Sequence, residues 1–312
     1  MAKPRNRTSD YLTYILIRLT VALYRAMPFT LATRSTKALA WILMRITKKR
    51  ILVGRENLNH AFPGKYTTAE LDNLIETGYE HFCRMMVEAV WADRMISKRN
   101  YREYIVFPDL EMTKQYTRAL LGDRPVLLVT GHFGNWELSG VLMGLLGFPS
   151  YAIARPLDNT FLDAWFRRWR QQNGQKIIAK KGEFDLIEEA LRKGGSLATL
   201  GDQDAGSRGM FVNFFNRPAS THKAVALLAM GHDALMVVTG TARIGNGYHY
   251  HLYFEDFIDP RDYQHQPDAV RAITTRYTEA LERMIRRHPE QYLWIHRRWK
   301  HQPAASKRKA AA

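Results

Sequence analysis

A single α/β domain with a mostly parallel central sheet flanked by helices is the fold class this sequence predicts, preceded by N-terminal helices suited to a membrane surface. Three observations predict it. Between residues 125 and 201, short apolar runs alternate with amphipathic stretches, the βαβα rhythm of parallel strands. The chain has 312 residues, 46% of them hydrophobic, with no internal repeat and no linker long enough to split the body. The first 50 residues combine aliphatic and aromatic side chains with scattered arginines.

The elements follow in order. Helices are expected over residues 9–30 and 34–48, and one or two more over 68–97, where Thr67, Thr68 and Glu70 give a capping signal. Strands are expected at Pro125–Thr130, Tyr151–Ala154, Lys176–Ala179 and Ser196–Gly201, separated by helices near 137–147, 160–173 and 183–193. A hairpin follows, Leu235–Arg243 and Tyr248–Glu255 flanking the turn Gly245-Asn246-Gly247. Tyr248, Tyr250, Leu252 and Phe254 alternate along its second strand with His249 and His251, which makes those histidines surface residues. Val270, Ile273, Tyr277, Leu281, Met284 and Ile285 form one stripe of a helix over 268–286, which Pro289 ends. The organisation read from this is 1–50 membrane-associated helices, 51–303 the α/β body and 304–312 a small, basic, disordered tail.

The formal charge is +16, from 46 Lys and Arg against 30 Asp and Glu. Such a field favours an acidic partner: nucleic acid, an anionic membrane or an acidic protein. No zinc-finger spacing, RNP-type motif or helix-turn-helix pattern supports nucleic acid. The single Cys83 excludes an internal disulfide and fits a reducing compartment, and no Cys/His cluster has metal-site spacing. The segment from Asp10 to Arg25 carries Arg18 and Arg25 and lacks a signal-peptide cleavage site. It falls short of the ~20 uninterrupted apolar residues of a spanning helix. Arg5, Arg7, Arg18 and Arg25 suit a helix lying at the bilayer interface, as does the apolar stretch Ala38–Ile46 before Lys48-Lys49-Arg50; the other reading is that both helices cap the core.

The segment richest in chemistry is Leu127-Leu-Val-Thr-Gly-His-Phe-Gly-Asn-Trp-Glu137. Residues five apart lie ~140° around a continuous helix, so His132 and Glu137 meet only across a strand-to-helix turn. Gly131 and Gly134 allow that turn and Asn135 is a helix cap. Glu137 is then expected to orient the imidazole while the other ring nitrogen takes a proton from an alcohol; the alternative is a buried histidine bonded to a structural glutamate. Arg155, at a strand end, offers a cation for a phosphate or oxyanion, or a salt bridge to Asp158. Asp202, Gln203 and Asp204 follow another strand, either to order substrate hydroxyls or hold Arg155, or as turn residues. Arg217, Ser220 and Thr221 come after the aromatic run Phe211, Phe214 and Phe215, an acyl-chain wall or ordinary core. Ser220 is expected to cap a helix over 222–231.

His132-Phe-Gly-Asn-Trp-Glu137 resembles the His-x4-Asp/Glu motif of glycerolipid-type acyltransferases, and in this form the lipid A late acyltransferase family. Further segments match that family in order: Glu56-Asn57-Leu58…Ala61-Phe62-Pro63, Arg155-Pro-Leu-Asp-Asn159, Asp202-Gln-Asp-Ala-Gly206, the Phe211–Thr221 run and Pro289–Lys300. The likeness runs from about residue 40 to 301. It implies an enzyme on the cytoplasmic face of a bacterial inner membrane that moves a fatty acyl group from a thioester of acyl carrier protein or coenzyme A to a glycolipid hydroxyl, such as a lipid A precursor. It implies His132, Glu137 and Arg155 as catalytic residues, with no metal or organic cofactor and no nucleic acid. Gly131, Phe133, Gly134, Asn135, Asp158, Asp202, Gln203, Asp204, Arg217, Ser220 and Thr221 are then the expected substrate contacts. Transfer to another lipid (an aminolipid, a mannosylated phosphoinositide or a lysophospholipid) stays open, as does a basic surface-binding protein without activity.

Overall fold

The computed structural model describes residues 6–148, 150–172, 174–179 and 182–303; Arg5 and the tail over 304–312 lie outside them. The chain opens with four helices, α1 (Arg7–Ala26), α2 (Phe29–Arg34), α3 (Thr36–Ile46) and α4 (Lys48–Ala61). The expected boundary between residues 50 and 51 therefore falls inside α4, whose first turn is the basic run Lys48-Lys49-Arg50. Next comes α5 (Thr68–Met95), one uninterrupted helix whose start is the capping box of Thr67 and Glu70.

The α/β body follows as α6 (Tyr101–Tyr104), β1 (Ile105–Val106), α7 (Leu110–Leu121), β2 (Val126–Thr130), α8 (Trp136–Leu145), β3 (Ser150–Ala154), α9 (Thr160–Gln172), β4 (Gln175–Ala179), α10 (Phe184–Arg192) and β5 (Ser196–Leu200). A short antiparallel pair, β6 (Met210–Phe214) and β7 (Arg217–Thr221), precedes α11 (Ala224–Gly231). The hairpin β8 (Leu235–Arg243) and β9 (Tyr250–Ile258) and the long α12 (Ala269–Arg287) complete it.

Seven strands form one sheet in the order β1-β9-β8-β2-β5-β3-β4. Every neighbouring pair is parallel except the β8–β9 hairpin, which carries a register shift between Val238 and Thr239. Helices cover both faces, as strands with near-continuous apolar runs require. Leu127 and Val129 of β2 join the main core with Ile273, Tyr277, Leu281 and Met284 of α12. Leu128, pointing the other way, packs with Tyr116, Met143 and Phe254. Full burial of each such side chain stabilises the fold by roughly 1.5–3 kcal/mol, so the alternation of β2 alone fixes which face α12 covers.

One expectation changes here, and one pair of alternatives narrows. The segment after the aromatic run is a strand, not a helix start: Ser220 and Thr221 end β7, and α11 begins later with Lys223 at its N-cap. Phe214 and Phe215 are core residues, packed against Trp294 and Trp299. Of the two histidines expected on the surface, His249 is exposed just before β9, while His251 on β9 is half-buried beside Tyr253. Among the described residues no helix is long and apolar enough to cross a membrane.

Candidate active site

β2 and β5 are parallel neighbours in a register that pairs Thr130 with Leu200. Two residues beyond each partner stand His132 and Asp202, so the sheet brings them together at its C-terminal edge, where parallel sheets gather functional groups. The contact is double: the His132 backbone N–H donates to Asp202 Oδ2 at 2.8 Å and the imidazole Nδ1 lies 2.9 Å from Oδ1. Asp202 is buried, and a Cβ on Gly131 would come within 3.3 Å of its carboxyl group, so the glycine lets the carboxylate close on the turn. With Nδ1–H donated to Asp202, Nε2 is left as the basic nitrogen.

Burial alone would lower the imidazole pKa. The adjacent Asp202 carboxylate, and after it Glu137, more than reverse this, so His132 titrates above its ordinary value. Asp202 is pushed the other way: burial would raise it, but the charge and hydrogen bonds of His132 hold it well below the usual carboxylate range.

Glu137 does not bond to the imidazole. Its carboxylate takes both hydrogen bonds of Arg170 on α9, Oε1 at 2.6 Å from Nη2 and Oε2 at 3.1 Å from Nε. Asp202, not Glu137, orients the ring, and Glu137 acts on it only through its field. The reason is geometric: Glu137 leaves the first turn of α8 toward α9, whereas β5 delivers Asp202 directly alongside β2.

Around the ring, Trp136 stands edge-on at a centroid distance of 5.2 Å and His296 lies nearly parallel at 6.5 Å. The exposed Gln203 places its amide nitrogen 3.2 Å from His132 Nε2. Asp204 accepts from His301 Nδ1 at 2.7 Å. Arg155 is 79% exposed and donates to Asp158 at 2.8 Å, the salt bridge that its position also offered. Ser220 and Thr221 are buried under Arg298, whose guanidinium donates to the Ser220 carbonyl and the Thr221 hydroxyl, each at 2.6 Å. Arg217 lines a separate hollow with Glu56 and His60.

The expected substrate contacts in the turn have structural work instead. Phe133 is core, Gly134 N–H donates to the Gln291 carbonyl at 2.9 Å, and Asn135 N–H donates to the Thr241 carbonyl at 2.7 Å. The Gly134 amide is therefore not free for an oxyanion. Asn135 caps α8, accepting from Leu138 N–H, while its Nδ2 reaches Glu88 and the Tyr250 hydroxyl at 3.3 Å each. Glu88 is fully buried on α5 and paired with Arg243 and Tyr250. That cluster beneath the turn went unread in the sequence, although a lone Glu inside Met85-Met-Val-Glu-Ala-Val-Trp91 was its signal. Gly134 has φ +58°, and a Cβ there would meet the Thr241 carbonyl oxygen at 1.9 Å. Gly134→Ala should thus lose at least about 3 kcal/mol, measured by denaturant unfolding, because the strained backbone and the overlap cannot both relax.

A histidine held by a buried carboxylate at the C-terminal edge of a parallel sheet is an arrangement that can serve as a general base in acyl transfer. Residues 2–301 match the family described as bacterial lipid A biosynthesis acyltransferase. The chain is 29% identical over 264 residues to the lipid A biosynthesis palmitoleoyltransferase of Escherichia coli (strain K12), covering 82% of this chain and 80% of that protein. With the lipid A biosynthesis lauroyltransferase of the same organism the identity is 25%, over 89% and 88% of the two chains. A phosphatidylinositol mannoside acyltransferase of Mycobacterium tuberculosis (strain ATCC 25618 / H37Rv) is 23% identical, over 58% and 56%. The chain belongs to the bacterial lipid A biosynthesis acyltransferase family, and it is an acyltransferase acting on lipid substrates.

Proposed function

We propose that this enzyme moves a fatty acyl group from the thioester of acyl carrier protein or coenzyme A to a hydroxyl of a glycolipid, a lipid A precursor, on the cytoplasmic face of a bacterial inner membrane. The observation that carries the mechanism is the doubly bonded His132–Asp202 pair, which leaves Nε2, once the Gln203 amide yields it, as the nitrogen for an acceptor hydroxyl. An alcohol attacks a thioester poorly until its proton is taken. As the hydroxyl oxygen bonds to the carbonyl carbon, its proton passes to Nε2, and the imidazolium is stabilised by Asp202. The carbonyl oxygen becomes an oxyanion, and the Gln203 amide beside Nε2 supplies an uncharged donor for it. Collapse breaks the C–S bond, and the imidazolium returns the proton to the leaving thiolate. Glu137, fixed by Arg170, adds negative field that keeps the imidazole basic.

The lipid A acceptor is supported by the family and by the named activities of the two relatives from E. coli. The net charge of +16 suits both an acidic carrier protein and anionic headgroups. Transfer to a mannosylated phosphoinositide is the second reading, favoured by the mycobacterial relative. Mass spectrometry of lipids from a strain lacking the gene decides between them. Loss of one acyl mass from lipid A is expected; an unchanged lipid A with a changed phosphoinositide or aminolipid would replace the acceptor.

A further inference from the structure

We propose that α1 is a cover operated by the membrane: on an anionic bilayer its outer leucine face inserts, the helix lifts from α9, and a lipid chain enters sideways into the apolar cavity beneath it. The proposal rests on the reading that the substrates are lipids and concerns how they reach the site.

α1 has 20 residues and none of them is buried. Its outer side carries Leu12, Leu16, Leu19 and Leu23, each between 56% and 65% exposed and spaced to form one stripe. Its inner side turns Ile17, Val21 and Tyr24 onto a cavity of about 390 Å³. A helix that is apolar toward water on one side and toward a hollow on the other is poorly accounted for by a soluble fold. It is the pattern of a helix between two apolar media.

The cavity reaches the α8 turn of the candidate site at Glu137. Met86, Val87 and Val90 of α5 and Trp165, Phe166 and Trp169 of α9 form its walls, and Glu137, in the first turn of α8, lies at its boundary. Its size falls within the range of small-ligand pockets and its lining is mostly apolar, as a hydrocarbon chain requires.

The fastenings of α1 are unequal. Its C-terminal end is held by four groups of α5: Arg25 pairs with Asp93 and donates to the Val90 carbonyl, Trp91 Nε1 donates to the Tyr24 carbonyl, and Arg94 donates to the Arg25 carbonyl. The N-terminal half rests on α9 through Tyr11 and Tyr14 against Phe161, Arg18 over Trp165, and one hydrogen bond from Asn159 to the Asp10 carbonyl. A helix tethered at one end by an ion pair and several hydrogen bonds, and at the other mainly by ring contacts, hinges at the tethered end.

Charge names the partner. Residues 6–61 carry ten Lys and Arg against Asp10 and Glu56 alone, half of the whole net charge. Trp41, Ile42 and Ile46 of α3 and Leu52 of α4 add exposed apolar surface to this basic region. A surface that is at once basic and apolar matches an anionic bilayer.

The test uses the full chain with Cys83→Ser, Thr13→Cys on α1 and Ala164→Cys on α9, each new cysteine bearing a spin label. Thr13 and Ala164 are exposed and outside the leucine stripe and the catalytic groups. On vesicles of phosphatidylglycerol the distance between the labels should lengthen by one helical turn or more, about 5 Å, and it should stay short on phosphatidylcholine. Replacing Leu12, Leu16 and Leu19 by Glu should abolish the lengthening. An unchanged distance in protein that sediments with the anionic vesicles would overturn the cover. The measurement needs no turnover, so it stands or falls separately from the acyl-transfer reading, which His132 substitution tests.

Discussion

Replacing His132 with Ala should lower acyl transfer by roughly 10²–10⁴-fold, the usual cost of removing a general base, while leaving the melting temperature nearly unchanged. The expectation of an intact fold comes from the position of the side chain: the ring sits at a strand end against Trp136 and His296, and the turn itself is pinned through backbone groups. The His132 backbone N–H still donates to Asp202 in the variant. Initial rates with an acyl thioester and a lipid acceptor, together with a thermal melt, check both halves. A folded variant with near-normal turnover would remove the base mechanism.

The second large effect separates the two carboxylates. Asp202→Asn should cost most of what His132→Ala costs, because an amide cannot hold Nδ1–H and also stabilise an imidazolium. Glu137→Gln should cost far less, since its carboxylate is spent on Arg170. The pH profile gives a sign that a packing defect would not imitate. The base works as neutral imidazole and its pKa is raised above the ordinary value, so the acid limb of kcat/KM lies above that value in the parent enzyme. Removing the Asp202 charge lowers the pKa and moves the limb to lower pH as the plateau falls. A larger rate loss and limb shift in Glu137→Gln than in Asp202→Asn would reverse the assignment.

The same pair shapes stability. The raised His132 stabilises the fold below its unfolded pKa and ceases to do so as pH rises through the folded one; the depressed Asp202 stabilises above its unfolded pKa and fails as pH falls through its own folded value. Both contributions are complete between about pH 4 and 6.5, a range in which the base is protonated and idle. Greatest stability and greatest activity should therefore lie at different pH.

Much of this was legible before any coordinates. The capping box of Thr67 and Glu70, the four strands from 126 to 200 and the stripe of α12 each rest on local chemistry or short periodicity, and they stand where expected. His132 on a strand-to-helix turn was equally local. Its partner was not. Asp202 was visible as a residue after a strand, but only the lateral order of the sheet, β5 beside β2, sets it against the imidazole, and strand order is not written in any short segment. Sequence spacing favoured Glu137, five residues away, over a carboxylate seventy residues on. Ser220 misled for a related reason: a good capping residue before an apolar stretch also fits the end of a hairpin strand, and the buried guanidinium of Arg298 that decides between them comes 78 residues later.

The distant origin of these partners has a consequence for how the chain matures. His132 and Asp202 are 70 residues apart, and Glu88 and Arg243, under the same turn, are separated by 155. Contacts that close such long loops form late, since their entropic cost precedes any reward, and parallel pairing slows the search further. During synthesis the N-terminal helices emerge first, with Leu16, Leu19, Trp41 and Ile46 uncovered well before the residues that complete the sheet exist. A nascent chain in that condition is prone to aggregate in water and is sheltered by a lipid surface. On the proposed reading, in which these helices meet the bilayer, it acts on the polypeptide first as a folding environment and only afterwards as the source of substrate.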